Sequence, residues 1–117
     1  MPARLRTGTH KGDPVPPTGA RVMLLVLYTD RLEECRAFYG ALGLGFTPER
    51  HGQGPRHYAA VLADGTVFEL YPATAERRTG SVRLGLHVDG AAAEPRLEPG
   101  RHLMTDPDGR VVEIHAS

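Results

Sequence analysis

Apolar side chains recur with period two along several stretches of this chain and with helical spacing along one. In Val82–Asp89 the apolar set is Val82, Leu84, Leu86 and Val88, and the other set is Arg83, Gly85 and His87. A guanidinium and an imidazole flanking a Gly suit a strand that lines a polar hollow. Taken alone, the strand reads as solvent-facing with a Gly at a bulge. Two more stretches repeat the arrangement. Phe68 and Leu70 oppose Val67, Glu69 and Tyr71, while Val112 and Ile114 oppose Val111, Glu113 and His115. Three strands with apolar backs would bring Glu69, Arg83, His87, Glu113 and His115 into one concavity of a curved sheet.

In chain order, residues 1–20 are rich in Pro, Gly, Thr and basic residues without periodicity, which predicts a flexible tail before a domain at 21–117. The run Arg21–Tyr28 is almost continuously apolar and predicts a strand buried on both faces. Thr29 or Asp30 then caps a helix whose stripe is Leu32, Cys35, Phe38, Tyr39 and Leu42, and Gly43 ends it. Strands follow at 44–50, 56–63 and 66–71, with a Gly-rich turn at 51–55 and a hairpin at Asp64-Gly65. The order then restarts at Val82. Pro95 and Pro99 leave room for only a turn or two of helix in Ala91–Arg96. A strand at 101–105, the turn Asp106-Pro107-Asp108-Gly109 and a strand at 110–115 complete a shortened second copy.

The chain has 117 residues, enough for one domain with a modest core, and its formal net charge is zero. No basic stripe points to nucleic acid, and no apolar run is long enough to span a membrane. With no secretory signal ahead of the first strand, a cytoplasmic protein is the expectation. The single cysteine, Cys35, lies in the helical stripe and reads as a buried, inert thiol. His57 and Tyr58 open a strand, so one of them faces the hollow if that strand joins the curved sheet.

The helix segment Asp30-Arg-Leu-Glu-Glu-Cys-Arg-Ala-Phe-Tyr-Gly-Ala-Leu-Gly-Leu-Gly-Phe46 resembles the first helix of the vicinal oxygen chelate superfamily, which includes glyoxalase I, bleomycin-resistance proteins and extradiol dioxygenases. Asp64-Gly-Thr-Val-Phe-Glu-Leu70 resembles that family's fourth strand, and Asp106-Pro-Asp-Gly-Arg-Val-Val-Glu-Ile114 its final turn and strand. The resemblance implies an α+β fold of paired βαβββ modules, forming a curved, mostly antiparallel sheet around a central cavity, with the second module shortened here.

Metal-dependent members take one ligand each from the first, fourth, fifth and eighth strands. The residues matching those positions are Met23, Arg83 and the carboxylates Glu69 and Glu113. Met23 is a poor ligand for hard or borderline ions, and Arg83 stays protonated. A divalent metal, if bound, would fall to Glu69 and Glu113, with His87 and His115 as substitute ligands; otherwise no cofactor is expected. The expected function is binding or sequestering a small molecule between the modules, on a wall formed by Met23, Glu69, Tyr71, Arg83, His87, Glu113 and His115. A lyase, isomerase or dioxygenase with an altered ligand set, and a metal-independent acid–base enzyme, stay open. A homodimer is expected, because the missing second helix leaves Leu84, Leu86 and Val88 poorly covered. Arg83 is expected to stand in for the metal by bridging Glu69, Glu113 or both.

Overall fold

A computed structural model describes residues 15–117; the tail predicted at 1–20 therefore lies mostly outside the described residues. Residues 15–20 carry no regular structure and are exposed. The apolar run becomes β1 (Leu24–Thr29), followed by α1 (Leu32–Ala41), β2 (Thr47–Glu49), β3 (His57–Val61) and β4 (Val67–Pro72). These strands form a half-sheet in the order β1-β4-β3-β2, with β1 parallel to β4 and the other pairs antiparallel. The second half-sheet is β5 (Leu84–Val88), β6 (Gly100–Thr105) and β7 (Val111–Ala116), in the order β5-β7-β6. It repeats the β1-β4-β3 pattern without a fourth strand. The helix is reduced to one 3-10 turn at Gly90–Ala92, as the prolines predict.

Register assigns the faces. Val26 lies opposite Glu69 and Leu27 opposite Leu70; Gly85 lies opposite Glu113 and Leu86 opposite Ile114. The backs (Leu27, Phe68, Leu70 on one half-sheet, Leu84, Val112, Ile114 on the other) join Cys35 and Tyr39 of α1 and its C-cap Leu42 in a single core. One helix thus serves two half-sheets, which offsets the loss of its counterpart. The two sheets share no strand pairing.

Burial on both faces, expected for the first strand, is not what the structure has. Leu24 is half exposed, and Val26 and Tyr28, which share the Glu69 face, are only partly covered. The helix start also differs. Leu32 opens it, Arg31 is its N-cap, and no side chain caps it. Asp30 is paired with Arg78 instead, while Thr29 accepts from the Arg31 amide at 2.9 Å. The C-terminus follows expectation. Gly43 takes φ of 108°, the Gly43 amide donates to Gly40 O and the Leu44 amide to Tyr39 O, which is a Schellman closure.

Candidate functional site

Glu113 sits at the centre of the second half-sheet's front because β7 is the middle strand. Arg101 on β6 forks onto it, with Nη2 at 3.3 Å from Oε1 and Nε at 3.2 Å from Oε2. Arg83, just ahead of β5, places Nη2 3.2 Å from Oε1. The His115 Nε2 lies 2.7 Å from Oε2. Arg101 first, then His115 and Arg83, hold the Glu113 carboxyl down to about 2. His87 lies opposite His115 in register, with ring centroids 5.4 Å apart. Both arginines, His87 and His115 are exposed, so this front is open and carries more cationic groups than carboxylates. Beside it a groove of about 490 Å³ runs between the end of α1, the β3–β4 turn and β5, with Gly85 and His87 in its wall. A Cβ at Gly85 would meet only the Glu113 carbonyl, at 4.0 Å, so this Gly leaves the backbone open, and the unbroken β5–β7 register shows no bulge there.

The first half-sheet's front carries a separate cluster. His57 is buried and stacks on Tyr71 at 4.0 Å, with 10° between the rings. Burial first, and then Glu69, raise the Tyr71 pKa. The His57 Nδ1 lies 3.2 Å from the Pro55 carbonyl. Its Nε2 lies 3.3 Å from Glu49 Oε1 and 4.0 Å from Glu69 Oε2, yet has no hydrogen-bond partner. His51 Nε2 is 3.5 Å from the same Glu49 oxygen. Glu49, His51 and His57 bring their ligand atoms within 4.8 Å of one another.

Among the described residues no hydrogen bond or ion pair joins the Glu69 cluster to the Glu113 cluster. The structure thus brings Arg83, His87, Glu113 and His115 together, and places Glu69 and Tyr71 on the other half-sheet. Arg83 reaches Glu113 and not Glu69. Met23 precedes β1 and is 77% exposed; the β1 residues on the Glu69 face are Leu24, Val26 and Tyr28. Sequence reasoning passed over Arg101, Glu49 and His51. The spacing Glu49-x-His51-x5-His57 across a Gly-rich turn was a signal for the last two. Arg101 becomes visible only through the β6–β7 register, which sets it opposite His115.

The motif Asp106–Arg110 is structural. Buried Asp106 accepts from the Tyr39 hydroxyl at 2.7 Å, from the Arg110 guanidinium at 3.1 Å and from the Asp108 and Arg110 amides. Burial pushes its pKa up, but the Tyr39 and Arg110 bonds prevail and hold it below the usual carboxylate range. Cys35 is buried and its thiol pKa is raised, chiefly by burial, as an inert core thiol requires.

No protein-family profile matches this chain, and no characterised protein matches it by sequence. Solved structures do. TnmS3, an antibiotic binding protein from Streptomyces sp. CB03234, superposes with a TM-score of 0.58 at 22% identity, over 83% of this chain and 95% of that one. A glyoxalase/bleomycin resistance protein from the same organism gives 0.57 at 21% identity, over 81% and 99%. Lactoylglutathione lyase from Agrobacterium tumefaciens gives 0.54 at 21% identity, over 87% and 96%.

Proposed function

We propose that this chain, which has the vicinal oxygen chelate fold, binds an anionic, flat small molecule on the open front of its second half-sheet, without a divalent ion at the fold's usual positions. The observation that carries this is the guanidinium of Arg83 resting on Glu113, where the resemblance puts two metal ligands. Arg101 adds a second guanidinium to the same carboxylate. Two arginines against one carboxylate leave donors free for a carboxylate or phenolate of a ligand. His87 and His115 supply ring faces, and the adjoining groove has the volume of a small-molecule site. One structural neighbour is an antibiotic binding protein, which agrees with sequestration as the role.

The reading includes a homodimer. Four large apolar residues are exposed on the two fronts: Leu24 and Val61 on the Glu69 face, Leu103 and Val111 on the Glu113 face. A second copy laid over them would bury this surface and close the site. Calorimetric titration with a panel of aromatic acids and phenols tests the binding. Micromolar affinity that falls at least tenfold in Arg101→Ala and in Arg83→Met is expected. Unchanged affinity in both variants, or no binding across the panel, would refute it.

A further inference from the structure

The first half-sheet holds a feature that the ligand site does not use. The His57 ring is fixed on three sides: its plane by the Tyr71 stack, its depth by burial to 1% exposure, and its tautomer by the Pro55 carbonyl. A carbonyl can only accept, so Nδ1 carries a proton, and in the neutral ring Nε2 presents a lone pair. That nitrogen lies beside the oxygens of Glu49 and Glu69 and is hydrogen-bonded to neither. A buried imidazole nitrogen without a partner, set among carboxylate oxygens, offers a place for a cation.

We propose that Glu49, His51 and His57 bind a divalent cation of the zinc, cobalt or nickel class, with Glu69 alongside. A histidine that donates its other ring N–H to a backbone carbonyl is the usual posture of a metal-ligating imidazole. The spacing also agrees. Bonds of about 2.0–2.1 Å to a tetrahedral ion set its ligand atoms about 3.3–3.4 Å apart, and Glu49 Oε1 stands 3.3 Å from His57 Nε2 and 3.5 Å from His51 Nε2. Two imidazole nitrogens and a carboxylate suit borderline ions better than calcium or magnesium. Local structure delivers the set. Glu49 and His57 are direct partners in the β2–β3 register, and the turn closed by the Gly54 amide on His51 O folds His51 back over them. The ligands come from β2, its turn and β3, with Glu69 on β4, and none from the second half-sheet. The site is therefore separate from the Arg83–Glu113 front. Three protein ligands leave a coordination position open to water or to a ligand donor atom.

The test uses the full chain, stripped with a chelator and titrated with Zn²⁺ by calorimetry and with Co²⁺ by visible absorption. One ion per chain and the intense bands of tetrahedral cobalt are expected. His51→Ala and Glu49→Gln, both on accessible side chains, should each weaken binding at least tenfold while the melting temperature without metal stays close to wild type. Glu113→Gln should leave the affinity unchanged. Failure of the wild-type chain to bind either ion overturns the proposal. Binding lost in Glu113→Gln but kept in His51→Ala overturns it too, by moving the ion to the fold's usual positions.

Discussion

Glu113 and Asp106 are carboxylates only seven positions apart in the chain, and their surroundings separate them. Glu113 is met by side chains that reach it from solvent, Asp106 by groups already in the core. The Glu113 carboxyl, held down to about 2 chiefly by Arg101, should stay ionised at pH 4. In Arg101→Ala its midpoint should rise toward the ordinary 4.5, by more than in Arg83→Ala, as read by NMR titration of the side-chain carboxyl. Asp106 has a depressed pKa in the folded state, so its contribution is complete above the unfolded carboxylate pKa and is lost as pH falls through the folded value. Asp106→Asn should therefore flatten the acid limb of a stability-versus-pH curve measured by denaturant unfolding. A limb as steep as wild type would place the acid-sensitive group elsewhere.

At the scale of elements, α1 is the piece on which both half-sheets depend. Tyr39 is buried among Phe38, Phe68 and the backs of both half-sheets, and its hydroxyl donates to Asp106 across the module boundary. Tyr39→Phe removes that charge-assisted bond and should cost about 1.5–3 kcal/mol in urea unfolding. Phe68→Ala, at a fully buried position, should cost about 3–5 kcal/mol. The helix stripe, the hairpin turns and the stunted second helix were legible in the sequence because each rests on local chemistry: helical spacing, Gly at left-handed positions, Pro where a helix would run. The cluster of Glu49, His51 and His57 was legible only as a spacing across a Gly-rich turn, because β2 is only Thr47–Glu49, too short to show by alternation which way Glu49 faces. Likewise Met23 matches the family's first-strand position by motif, but the parallel β1–β4 register puts Val26 beside Glu69.

For the whole molecule, one core lies behind both half-sheets, and among the described residues no hydrogen bond or ion pair joins the polar clusters on their fronts. That arrangement was not readable from strand periodicity, which assigns residues to faces without saying how two sheets are set against each other. It is why the chain has a polar cluster on each half-sheet where the sequence suggested one. It also motivates the dimer. Light scattering at tens of micromolar should report twice the chain mass for wild type and a monomer for Leu103→Glu, a change confined to an exposed front position. Wild-type monomer at that concentration would remove the dimer from the account. The central claim, that the ligand sits against Arg83, Arg101 and Glu113, is tested most directly by amide NMR during titration with the tightest-binding aromatic acid of the panel. The account predicts shifts concentrated at Gly85, His87, Arg101, Glu113 and His115, saturating together with the calorimetric isotherm. Shifts confined to β2–β4, with those residues unmoved, would contradict it.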